Sequence, residues 1–150
     1  MKFKLLAVGR LHQRPFELAA AEYGRRLAAS VRFEQVEVRD VRLTDRATAR
    51  QKEAQALLAQ LKPADHPVLL DSGGIQFDSP GLANWLQAHS AEPFVFIVGS
   101  SWGVDSAVRE RAKTLWSLSK LTFPHELARV IVLEQLYRAV TILAGHPYHH

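Results

Sequence analysis

Two short and almost purely apolar runs, PVLLDSGG from Pro67 and PFVFIVGS from Pro93, each broken off by glycine, constrain the fold of this chain more than any other feature. Apolar residues that continue without alternation over strand length suit strands buried on both faces, which is the condition of central strands in a parallel sheet. KFKLLAVG at the N-terminus repeats the pattern, with Gly9 closing a run that ends at Val8.

The segments between these runs have helical spacing. Pro15 suits a first helical turn, and Phe16, Ala19, Tyr23 and Leu27 predict a helix over residues 15–29. VRFEQVEVR, residues 31–39, reads as a strand whose alternation is too imperfect to assign an inward face. Ala54, Leu57, Leu58 and Leu61 predict a second helix closed by Pro63, and Leu82, Trp85 and Leu86 a crossover helix. Val104, Val108, Ala112 and Leu115 predict a further helix after Gly103, and a long last helix begins near Pro124 and runs to about Ala144. Strands alternating with helices imply an α/β fold, a mostly parallel sheet with helices on both faces. With 150 residues, 47% of them hydrophobic, the chain suffices for one core, so residues 1–150 are read as one domain.

Apolar residues nearly encircle the last helix, from Leu127, Val130 and Ile131 through Leu136 and Tyr137 to Ile142 and Leu143. A chain this short has little with which to cover such a helix, which predicts a homodimer. Cysteine is absent, so disulfides and thiolate metal sites are excluded. The N-terminal apolar run is too short for a signal-peptide core and no run approaches membrane-spanning length, so the expectation is a soluble, cytoplasmic protein with no membrane partner. A net charge of +4 makes no binding patch unless the fold gathers it.

Open parallel sheets bind ligands beyond the carboxyl ends of their strands, and two glycine-containing loops are expected there. One follows Leu70 as Asp71, Ser72, Gly73 and Gly74; the other follows Val98 as Gly99, Ser100, Ser101, Trp102 and Gly103. Neither matches a dinucleotide or nucleoside-triphosphate fingerprint, and neither G-x-S-x-G nor H-E-x-x-H occurs. His146, His149 and His150 lack a carboxylate or rigid helix to fix metal geometry and read as a polar tail, with no metal expected. Glu134 and Arg138, at i and i+4, form a narrow polar stripe on the last helix; an Arg buried there must be paired or aimed at an anionic substrate.

SLSKLTFPHELARVIVLEQLYRAVTILAGHPYHH, from Ser117 to the end, closely resembles the carboxyl-terminal signature of the ribosomal RNA large subunit methyltransferase H family. KFKLLAVG and VLLDSGG match other segments of that family in order, so the resemblance covers essentially the whole chain. It implies a SPOUT-type fold with a C-terminal trefoil knot, S-adenosyl-L-methionine as cofactor, and an obligate homodimer. Carried over by position, the cofactor would contact Leu70, Gly99, Leu118, Ser119, Lys120, Leu121, Thr122 and Phe123. The implied reaction is methylation of ring N3 of a pseudouridine in helix 69 of 23S ribosomal RNA, on the assembled 70S ribosome.

A ring N3 is a weak acid, so something must take its proton or stabilise the anion. Candidates are His125, Glu134, Arg138, Tyr148 and His149, with Arg129 and Arg138 able to meet phosphate or the anionic base and Tyr148 able to stack. The chain departs from the resemblance at Ser100, where glycine is common, at Trp102, which is larger than usual, and at His150, where Lys or Arg is typical. Two rival readings are a knotted dimer that binds cofactor or RNA without methyl transfer, and a flavodoxin-like nucleotide-binding module.

Overall fold

A computed structural model describes residues 1–42 and 45–150. The chain runs β1 (Lys2–Val8), α1 (Arg14–Ser30), β2 (Arg32–Val38), α2 (Arg46–Leu58), β3 (His66–Ile75), α3 (Ser79–Ala88), β4 (Phe94–Val98), α4 (Ser106–Arg111), β5 (Thr114–Trp116) and α5 (His125–Leu143). The five strands form one all-parallel sheet in the order β2-β1-β4-β3-β5. That order differs from the 2-1-3-4-5 of flavodoxin-like sheets and overturns that rival reading.

Alternation along the central strands divides the core in two. Phe3, Leu5 and Ala7 of β1 and Phe94, Phe96 and Val98 of β4 pack with Ala20 and Leu27 of α1, Leu82 and Leu86 of α3, and Val132, Leu133 and Leu136 of α5. Leu6 and Val8, with Val95 and Ile97, face Ala54 and Leu57 of α2 and Val108 of α4. Helices on both faces are why β4 is apolar at every position, since neither side meets water. Asp45, Asp78 and Asp105 start α2, α3 and α4 by accepting bonds from the Ala47, Gly81 and Ala107 amides.

Three expectations need correction. Residues 71–74 do not turn after the strand; β3 continues through them, with a register irregularity between Leu70 and Ile75, both of which pair with Trp116. Gly74 is required by close approach: a Cβ there would stand 2.7 Å from the Trp116 amide nitrogen and nearer still to the Leu115 carbonyl. The helix expected through Leu115 stops at Arg111, and Leu115 pairs with Leu69 in a short fifth strand. Apolar spacing of three and four was satisfied there by a helix followed by a strand that pack into one core. Finally, α5 is covered in part by its own chain: α1 and α3 flank it, and Leu127, Val130, Ile131 and Tyr137 are half-buried rather than bare. Among the described residues, no helix is long and apolar enough to cross a membrane.

Candidate functional site

At the carboxyl ends of β3, β4 and β5 the chain encloses a cavity of about 280 Å³. Leu70 ends the regular part of β3, Val98 ends β4 with Gly99 directly after it, and the segment after β5 supplies Leu118, Ser119, Leu121, Thr122 and Phe123. The structure therefore brings together seven of the eight residues expected around a cofactor. The exception is Lys120, which is exposed and outside the lining. The loop is held from within: Ser117 Oγ donates to the Ser119 carbonyl at 3.0 Å, the Leu121 amide donates to Ser119 Oγ at 3.0 Å, and the Ser117 amide donates to the Ile75 carbonyl at 2.8 Å. The walls are mostly apolar with a few hydroxyls, which suits an adenosine-like ligand held by packing and backbone contacts.

The expected catalytic groups fall into two places. His125, at the start of α5, lines this cavity and also an adjoining one of about 480 Å³. Glu134, Arg138, Tyr148 and His149 gather at the other end of α5. Arg138 donates to Glu134 Oε1 through Nη2 at 2.6 Å and Nε at 3.0 Å, and its guanidinium lies 4.7 Å from the centre of the Tyr148 ring. His149 Nδ1 stands 3.2 Å from Arg138 Nη1, and because Arg can only donate, that nitrogen is an acceptor. Tyr148 Oη lies 3.1 Å from Glu134 Oε1 and 3.3 Å from the Tyr23 hydroxyl. Thirteen residues at 1.5 Å rise separate His125 from Arg138 by about 20 Å along the helix.

Burial, followed by the bonds to Tyr23 and Glu134, pushes the Tyr148 hydroxyl well above its ordinary range. Tyr148 thus keeps its proton at neutral pH and cannot be the group that accepts one. The bonds to Glu134 raise the Arg138 guanidinium above its already high value, so it carries a permanent charge.

Several groups here escaped the sequence or were given another role there. Glu126 is buried, and its Oε1 accepts the His12 and Gln13 amides at 2.7 and 3.1 Å, pinning the loop after β1 to α5. Arg129 is only 4% exposed, pairs with Glu37 and donates to the Gly9 carbonyl at 3.0 Å, so it is committed within the chain rather than free for phosphate. The signal that could have found both is their i,i+3 spacing on an otherwise apolar helix. The hydroxyl of Ser100 accepts the Trp102 amide at 3.4 Å, which commits this side chain to shaping its own loop.

Burial, with the nearby Asp40 carboxylate adding to it, raises the Glu53 carboxyl above its ordinary value. A carboxyl with a folded-state pKa above its unfolded value stabilises fully below the unfolded value near 4.5, and that contribution is lost as pH rises through the folded one. Glu53→Gln keeps the shape without the charge, so its melting temperature is expected to gain on that of the unsubstituted protein as pH is raised from 4.5 to 8. Parallel melting curves across that range would contradict a buried, strained carboxylate.

Among the described residues, no group of three or more His, Asp or Glu side chains could hold a metal ion. A family model described as "Predicted SPOUT methyltransferase" matches residues 1–149. The chain is 67% identical over 150 residues to ribosomal RNA large subunit methyltransferase H of Gloeobacter violaceus, covering 100% of this chain and 99% of that one. It is 38% identical to the protein of the same name from Desulfitobacterium hafniense, over 99% of both. A probable methyltransferase from Bordetella pertussis superposes with a TM-score of 0.58 at 15% identity, over 93% of this chain and 94% of that one, a likeness of fold alone. Full-length identity at this level, together with the matched family model, places the chain in the ribosomal RNA large subunit methyltransferase H family of SPOUT methyltransferases.

Proposed function

We propose that this protein transfers a methyl group from S-adenosyl-L-methionine to ring N3 of a pseudouridine in helix 69 of 23S ribosomal RNA, on the assembled ribosome. The observation that carries the reading is the cavity at the ends of β3, β4 and β5, where seven residues named for the cofactor converge. Its volume of about 280 Å³ lies near the lower end of small-ligand pockets, about 300–1,000 Å³, and it continues past Ser100 and His125 into the adjoining space. Leu118, Leu121 and Phe123 would supply the apolar wall, and Leu70, Gly99, Ser119 and Thr122 the polar and backbone contacts. The cofactor, when bound, supplies an electrophilic methyl on a sulfonium. Lys120 is left as an exposed charge beside the loop.

A trefoil knot in the C-terminal half belongs to this reading by family membership. So does a homodimer. The Arg138 cluster stands apart from the cavity of its own chain: Ala128 is the last α5 residue of the lining, and Arg138 lies ten residues further on, about 15 Å along the helix. A second copy presenting its tail would bring that cluster to the first copy's cavity. There Arg138, permanently charged, would stabilise the anionic base. Tyr148, which stays protonated, would position it by hydrogen bond or by stacking. His125 is the group of the first chain nearest the work, since it lines the cavity itself.

The test is incorporation of tritiated methyl from S-adenosyl-L-methionine into ribosomes whose helix 69 is unmodified, followed by mapping of the label. Label at pseudouridine N3 is the expected result. A protein that binds cofactor and ribosomes but never transfers label would instead be a binding module, and this function would be wrong.

A further inference from the structure

Trp102 is the residue of the site loops least explained by packing. It is 43% exposed, and it sits in the Gly99–Gly103 loop that separates the cofactor cavity from the adjoining cavity of about 480 Å³. An indole left this exposed forgoes burial of a large apolar surface. It is nevertheless held, because the Arg46 guanidinium at the start of α2 lies 4.7 Å from its ring centre. The same cavity is lined by the exposed Arg10 and Arg42, and it meets the cofactor cavity at Ser100 and His125. One carboxylate, Asp40, shares the lining, 3.9 Å from Arg42 Nε, so the arginines outnumber it.

A flat aromatic face braced by a guanidinium, in a roomy recess with further arginines at its rim, has the chemistry of a single-stranded nucleic-acid subsite. Bases stack on aromatics whatever their sequence, and arginine forks grip phosphate. We infer that Trp102, braced by Arg46, is a stacking surface for an unpaired RNA base that neighbours the methylated one, with Arg10 and Arg42 taking the phosphate beside it. This rests on the RNA methyltransferase reading above and adds a subsite to it. It also gives a role to the bulky residue that sets this loop apart: Trp102 extends the substrate contact outward, while the Ser100 hydroxyl, which accepts the Trp102 amide, shapes the loop that presents it.

The experiment measures methyl transfer to ribosomes with unmodified helix 69 by the full-length protein and by Trp102→Ala, Trp102→Phe and Arg42→Ala. Calorimetric affinity for S-adenosyl-L-methionine is measured alongside. Loss of one base stack predicts that W102A raises the apparent KM for ribosomes by roughly tenfold to a hundredfold. Cofactor affinity stays within about twofold, and W102F recovers most of the loss because it keeps a π-face. R42A lowers the slope of log affinity against log salt by about 0.7, the value for one phosphate on a single strand. A W102A protein with an unchanged KM, one whose cofactor affinity falls in parallel, or a W102F protein as impaired as W102A overturns the stacking subsite while leaving the methyltransferase reading intact. If the unsubstituted protein labels no ribosomes, that reading fails first and this one with it.

Discussion

Arg138→Ala is expected to lower methyl transfer about a hundredfold to a thousandfold while leaving the affinity for S-adenosyl-L-methionine unchanged. A fixed charge aimed at a developing anion contributes on that scale, and Arg138 is not among the residues that line the cofactor cavity. Loss of folding would not explain the result. The Arg138–Glu134 pair is an i,i+4 bridge whose side chains are 24% and 18% exposed, so its removal costs about 1 kcal/mol or less. That corresponds to a melting temperature lowered by about 2–4 °C. Arg138→Lys should recover only part of the rate, since an ammonium keeps the charge but loses the fork that engages Glu134 and the face that covers Tyr148. Single-turnover labelling beside calorimetry separates the two effects. A variant that transfers methyl at the full rate would remove the tail cluster from the chemistry.

Gly74→Ala should be among the most damaging single-methyl additions in the chain. The new Cβ would press on the backbone of Leu115 and Trp116, which cannot swing away as a side chain can. Relief requires β5 to move off β3, at a cost on the order of 3 kcal/mol, or about 6–12 °C of melting temperature. Because the cavity-lining loop begins directly after β5, cofactor affinity should fall in the same variant. Gly73→Ala is the control: its Cβ would meet only Asp71 Oδ1 at 3.2 Å and Arg109 Nη2 at 3.9 Å, both side-chain ends. Thermal unfolding of the pair decides the matter. Equal stability would mean that β5 does not press on the backbone at Gly74.

Legibility in the sequence followed the range of the physics. Where a pattern is local, the residues announced the structure: the apolar runs became β1, β3 and β4, and Pro15 and Pro124 marked the starts of helices that run Arg14–Ser30 and His125–Leu143. Where two elements share one core, spacing misled. Val108 and Leu115 are seven apart and pack in the same cluster, yet a helix end and a strand lie between them. The glycines of DSGG were read as a turn because nothing within eight residues reveals that β5 will cross them. Among the site residues, the cofactor set came from family resemblance, and the chain gathers all of it but Lys120 around one cavity. Glu126 and Glu53 were missed, and Arg129 was read as free for phosphate, because their surroundings, at residues 9–13, 37 and 40, are distant in sequence. A partner copy has two supports: α1 and α3 cover α5 only in part, and the Arg138 cluster stands apart from the cavity of its own chain.

The central proposition is that the pocket at the ends of β3, β4 and β5 receives the methyl donor. Titrating S-adenosyl-L-methionine into the purified full-length protein in a calorimeter tests it with the fewest intermediaries. Saturable heat, abolished by prior addition of S-adenosylhomocysteine and weakened at least tenfold by Leu118→Asp, which puts a charge in the apolar wall, is the predicted result. Absence of any binding heat from a folded sample, or heat that Leu118→Asp leaves untouched, would contradict it.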